Sequence, residues 1–143
     1  MLRRVFVTGI LLIISFKLSS QHLEGSRWIL EGIDNIGNGQ RQYVECRQLP
    51  YIEFLTDSTF SGKICNTYKG VLIHSPQAGV SFRFEQQTKF ICLGIKDYEK
   101  KVFNVMRTTC KMKRDGNNLF FYNTNTRLTY KLEAASQVQA SKN

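Results

Sequence analysis

SGKICNTYKG, Ser61 to Gly70, decides how the rest of the chain is read. A cysteine and an asparagine stand side by side between Gly62 and Gly70, with Tyr68 two residues after the asparagine. Cys65 is open to three readings: nucleophile, metal ligand, or half of a disulfide. A thiolate nucleophile needs a base in reach, and the only histidines are His22 and His74, neither in a recognisable motif. A zinc site needs closely spaced cysteines or paired histidines, and no Cys-x-x-Cys occurs. The third reading depends on the compartment, which is read from the N-terminus.

MLRRVFVTGILLIISFKLSSQ carries Arg3 and Arg4, an apolar run from Val5 to Phe16, and the small pair Ser19 and Ser20. That is the order of a secretory signal. The run is interrupted by Thr8, Gly9 and Ser15 and is shorter than the roughly 20 residues a bilayer span needs. Cleavage is expected after Ser20, leaving residues 21–25 as a short N-terminal segment. No cysteine precedes Cys46, so a lipidation cysteine is missing and the expected location is secreted or periplasmic. In an oxidising compartment, the four cysteines Cys46, Cys65, Cys92 and Cys110 read as two disulfides with three possible connectivities.

The precursor has a formal charge of +9. Residues 1–20 contain three basic and no acidic side chains, so 17 Lys and Arg against 11 Asp and Glu leave +6. Lys96, Lys100, Lys101 and Arg107 lie along one element, followed by Lys111, Lys113 and Arg114. No nucleic-acid module accompanies them, so no nucleic-acid partner is expected and the charge reads as a solvated face.

From residue 26 the chain reads as one domain without linker or repeat. Trp28, Leu30 and Ile33 open a strand, and GIDNIGNGQRQY, Gly32 to Tyr43, reads as a surface loop. YIEFL alternates, turns at Thr56-Asp57-Ser58 and enters TFSGKIC. Gly70 to Ile73 is a further apolar run, and after HSPQAG, VSFRF places Val80, Phe82 and Phe84 on one side. Ile95, Tyr98, Val102, Val105 and Met106 then follow helical spacing. Two turns, Asp115-Gly116-Asn117 and Asn123 to Asn125, separate LFFY from RLTYKL. The tail 134–143 is small and polar and is expected to fray. The expected fold is α+β and mainly β: a curved antiparallel sheet or partly open β-barrel packed against one amphipathic helix.

With these elements in order, the chain resembles the META/HslJ family over residues 26–133. Trp28 with Leu30, Ile52 with Phe54, and SGKICNTYKG are similar to its small-Gly-x-x-Cys-Asn-x-Tyr-x-Gly signature. Thr88-Lys89-Phe90-Ile91-Cys92 resembles its Thr-Lys/Arg-Met-Ala-Cys motif, with Phe90 and Ile91 in place of Met-Ala. Glu99 and Phe103 fall where the family's helix begins, and Gly116, Leu119 and Leu128 match its closing hairpin. The motif residues carried over are Gly62, Cys65, Asn66, Tyr68, Gly70, Thr88 and Lys89. The resemblance implies that Cys65 pairs with Cys92, which leaves Cys46 for Cys110.

What the resemblance implies about function is a small cell-envelope domain associated with envelope stress, drug tolerance or secretion. No catalytic constellation, metal set or cofactor motif is read from the residues, so the expectation is a non-catalytic domain without cofactor. META domains also resemble lipid-binding pilotins in fold. On that alternative Phe82, Phe84, Phe90, Tyr98 and Phe103 line a groove for an apolar ligand or partner peptide; the competing reading is that they fill the core. A third alternative is a secreted inhibitor or interaction module displaying Gly32 to Tyr43 or His74 to Gly79.

Overall fold

The long first strand organises the sheet. In the computed structural model, which describes residues 22–134, β1 (Ser26–Asn35) is bordered on one edge by β9 (Thr126–Leu132) from Trp28 to Asn35. Its other edge is shared by β3 (Tyr51–Phe54), against the first half, and β2 (Arg41–Tyr43), against the second. β4 (Thr59–Lys63), β5 (Thr67–Ser75) and β6 (Gly79–Gln87) continue from β3 as a meander, while β8 (Asn118–Tyr122) and β7 (Lys111–Asp115) continue from β9. The order is β6-β5-β4-β3-β1-β9-β8-β7, all antiparallel, with β2 beside β1. The two ends of this path meet at Val80 and Cys110, whose backbones exchange hydrogen bonds of 2.7 and 2.9 Å. The sheet is therefore curled into a half-barrel, because antiparallel strands twisted in one sense bring the ends of a long sheet together.

Alternation supplies the core. Ile52 and Phe54, Phe60, Tyr68 and Leu72, Val80 and Phe82, Leu119 and Phe121, and Leu128 and Tyr130 are all buried on the concave side. In β1 the phase changes partway. Leu30 opposes Tyr130 and Ile33 opposes Leu128, with a register shift between Leu30 and Gly32. The bulge returns an odd-numbered residue to the face that Trp28 and Leu30 had occupied. It also turns Asp34 outward, where its carboxylate accepts from Arg127 Nε at 3.0 Å and Thr129 Oγ1 at 3.2 Å.

The single helix described, α1 (Lys96–Met106), is the crossover from β6 to β7. Val102, Phe103, Val105 and Met106 form its buried stripe, as the apolar spacing predicts. Phe103 packs edge-on to Tyr68 and Phe84, with ring centroids 5.5 and 5.2 Å away.

Two expectations are corrected. Gly32 to Tyr43 is not a loop but a hairpin, in which Gly32, Ile33 and Asp34 pair with Tyr43, Gln42 and Arg41. The turn residues that suggested a loop are confined to the hairpin's tip, where Asn35 Oδ1 accepts from the Gly37 N–H at 2.9 Å. Nor do Cys46 and Cys110 pair; both are free thiols. Cys46 lies between β2 and β3 beside β1, whereas Cys110 lies at the β6–β7 seam. Cys46 therefore follows the strand paired with β1 at the middle of the path and Cys110 the connection at its closing ends, and a bridge forms only where folding brings the two Cα atoms within about 7 Å. The expected signal at 1–20 lies outside the described residues, as does all but the first residue of the expected tail. No helix among the described residues is long and apolar enough to cross a bilayer.

Candidate functional site

The Ser61 to Gly70 stretch forms the end of β4, a turn and the start of β5. Gly62 and Gly70 are required by close approach. A Cβ on Gly62 would lie 2.5 Å from the Tyr68 ring and 2.6 Å from the Tyr51 carbonyl, and one on Gly70 would collide with the Arg83 carbonyl of β6. Tyr68 fills the space left by Gly62, donating its hydroxyl to the Tyr51 carbonyl at 3.3 Å. Its burial pushes the phenol well above its usual pKa. The ring is thus an inward anchor, with no role as an acid near neutral pH.

At the turn, Cys65 is bonded to Cys92, with Cα atoms 6.0 Å apart. Beside the bond, Asn66 is only 4% exposed, and its amide is saturated. Oδ1 accepts from the Phe90 N–H at 2.6 Å and the Thr88 hydroxyl at 3.1 Å. Nδ2 donates to the Phe90 carbonyl at 3.3 Å and to Glu99 Oε1 at 3.1 Å. The Asn66 N–H also donates to Glu99 Oε1, at 3.3 Å. Thr88 Oγ1 in turn accepts from the Thr67 N–H at 3.0 Å. One buried amide therefore ties together the β4–β5 turn, the β6–α1 connection and the first turn of α1. A buried network of this kind favours one arrangement because every member left unpaired would be costly.

The residues flanking this latch face the other way. Lys89 is exposed, and Phe90, Ile91 and Leu93 are 71%, 95% and 92% exposed.

These dispositions divide the five aromatics proposed for a groove. Phe82, Phe84 and Phe103 belong to the interior ring cluster, in which Phe82 and Phe84 pack edge-on to Phe60 at 5.1 and 5.7 Å. Tyr98 is half-buried at the edge of α1, with its hydroxyl 3.4 Å from the Tyr43 carbonyl. Phe90 is separated from all four on the outer surface. Neither free thiol resembles a nucleophile, since burial raises the pKa of Cys46 and pushes that of Cys110 up to about 11.

The family question is decided by the span over which the motif geometry and the surrounding fold agree. The META domain family matches residues 21–135. The chain belongs to the META domain family. Three solved structures share the META-domain curl. An NMR structure of a protein is 20% identical, spans 76% of this chain and 90% of its own, and has a TM-score of 0.58. An NMR structure of a protein from Burkholderia xenovorans is 16% identical, with 78% and 84% covered and a TM-score of 0.61. A crystal structure of a DUF4847 family protein from Bacteroides vulgatus ATCC 8482 is 13% identical, with 76% and 93% covered and a TM-score of 0.56. At these identities the likeness is one of fold. No curated protein matches the chain.

Within this META domain, three further features escaped sequence reasoning. Asp34 sits beside a polar cleft of about 550 Å³ lined also by Asn35, Gln40, Arg41 and Lys101; its signal was weak because a bulge, not alternation, orients it. An apolar cleft of about 330 Å³ lies between Ile29, Tyr43, Val44, Leu49 and Leu132. His22, Glu24 and Asp57 converge at the surface, with ligand atoms within 4.8 Å of one another. Asp57 Oδ1 already accepts from the Leu23 and Glu24 N–H groups at 3.0 and 3.2 Å, so this cluster fastens the N-terminal segment to the β3–β4 turn.

Proposed function

We propose that this META domain is an exported, non-catalytic domain of the cell envelope, secreted or periplasmic, whose braced end presents residues 88–95 as a binding element. The observation that carries this reading is the division of labour within the two motifs. Cys65, Cys92, Asn66 and Thr88 are consumed by one another and by Glu99, while the residues between Thr88 and Gly94 turn apolar side chains outward. Reactive groups spent on internal bonding serve architecture, and apolar groups left in water serve contact. The apolar run at Val5 to Phe16, following Arg3 and Arg4, supports export, and the disulfide is consistent with an oxidising compartment. A role in envelope stress or secretion, which the META/HslJ resemblance implies, is part of the same proposal.

Cell fractionation combined with thiol counting tests the reading. The expected result is a protein lacking residues 1–20, found outside the cytoplasm, with Cys65 and Cys92 oxidised. Recovery of the uncleaved chain in the cytoplasm with four reduced thiols would overturn it.

A further inference from the structure

We propose that Lys89 to Leu93 is a membrane-docking tip that seats Phe90, Ile91 and Leu93 in an anionic lipid surface. The inference rests on the reading of residues 88–95 as a binding element and names its partner.

Three of four consecutive side chains are large, apolar and 71 to 95% exposed, whereas the other exposed large hydrophobics of the described chain lie between 43 and 64%. Leaving such groups in water is unfavourable in proportion to their area. Their backbone is nevertheless held outward. Asn66 grips Phe90 through both its N–H and its carbonyl, and Cys92 is bonded to Cys65. A tip fixed at its base loses little conformational freedom when it binds. The disulfide and the amide thus stabilise the outward conformation that a lipid surface requires.

Shape and charge select the occupant. Three apolar groups within four residues stand 71 to 95% exposed, so a protein partner would need a socket enclosing each of them. A bilayer yields around such a tip and accepts aliphatic and aromatic side chains at its acyl boundary. Lys89 is exposed beside Phe90, and Lys100 is exposed on α1. Lys101 of the same helix reaches Gln42 of β2 and Glu99 is directed to Asn66, so Lys89 is the cation adjoining the tip in sequence. Apolar side chains with an exposed lysine adjoining them match the acyl and headgroup layers of a membrane containing anionic lipid. The overall charge of +6 without residues 1–20 favours approach to the same surface.

The test uses exported protein whose N-terminus has been verified by mass, together with vesicles of equimolar phosphatidylglycerol and phosphatidylethanolamine; phosphatidylcholine vesicles are the control. Sedimentation should show binding to the anionic vesicles that weakens with salt. Ile91→Ser with Leu93→Ser should reduce it roughly tenfold, and Lys89→Gln about fivefold, with circular dichroism and the disulfide unchanged. The native Trp28 is buried, so Ile91→Trp supplies a reporter at the tip. Its emission should shift to shorter wavelength on anionic vesicles and be quenched by brominated acyl chains. Absence of vesicle binding, or equal binding by the double serine variant, would overturn the proposal. So would a concentration-dependent dimer that the serine substitutions abolish while vesicles leave the protein in solution. Exported, oxidised protein that ignores vesicles overturns the lipid partner alone, whereas cytoplasmic, reduced protein overturns the reading beneath it.

Discussion

Asn66 holds Phe90 by both polar groups of its backbone, at 2.6 Å through the N–H and 3.3 Å through the carbonyl. Asn66 is 4% exposed and Phe90 71%. A buried amide thereby fixes the direction of an outward ring, and the Glu99 carboxylate on the other side of that amide ties the arrangement to α1.

Asn66→Ala removes a partner from Phe90, Thr88 and Glu99 together and should cost about 2–4 kcal/mol by urea denaturation. Asn66→Asp keeps the acceptor but sets a second carboxylate against Glu99. Like-charge repulsion raises the folded pKa of that pair above its unfolded value, so the deficit should grow as pH rises and shrink as pH falls through the carboxylate range. An equal deficit at neutral and mildly acidic pH would show that the Glu99 contact is not formed.

Alkylation of the denatured, unreduced protein should tag two thiols, Cys46 and Cys110, and leave Cys65 and Cys92 unmodified. None tagged would mean two bridges, and four would mean none. Under native conditions Cys110 should react slowly, being buried with its pKa pushed up to about 11. Removing the Cys65–Cys92 bridge, whose partners are 27 residues apart in sequence, should cost about 3.5 kcal/mol in the loop-entropy account.

Gly70→Ala should destabilise by about 1–3 kcal/mol because the new methyl meets the Arg83 carbonyl. That obstacle is the backbone of a paired strand, which cannot rotate away. Thermal melting of this variant beside Gly25→Ala separates crowding from backbone conformation, since Gly25 has positive φ and open space around it.

Asp57 accepts hydrogen bonds from the Leu23 and Glu24 N–H groups, and these hold its carboxyl below the usual pKa. A depressed folded pKa contributes stability that is present above the ordinary carboxylate value and is lost as pH falls through the folded one. Amide exchange at Leu23 and Glu24 should therefore accelerate relative to the β-sheet core as acid is added. In Asp57→Asn the same acceleration should already be present at neutral pH, and pH-independent protection would refute the assignment.

Much of the fold was legible in the chain. Strands with one buried face must alternate, so YIEFL, VSFRF and RLTYKL disclosed both their type and their inward side. The stripe from Ile95 to Met106 disclosed α1 for the equivalent reason at helical period. The hairpin from Gly32 to Tyr43 was hidden because the glycines and asparagines at its tip outweighed three paired residues on either side. Glu99 gave no sign of being the partner of a buried amide, since a carboxylate on an amphipathic helix is ordinarily solvated. Phe90 gave none of being exposed, since burial is usual for an aromatic residue beside a motif cysteine.

By itself the amino-acid order determined which face of the regularly alternating strands and of the helix turns inward, because hydrophobic period is a local property of neighbouring residues. Only the curling of the sheet decided that Cys46 and Cys110 stay apart and that Asn66 reaches Glu99, 33 positions away. The same curling left Phe90, Ile91 and Leu93 in water. Those outcomes depend on where distant segments meet once β6 and β7 close on Val80 and Cys110, and no local pattern records that meeting.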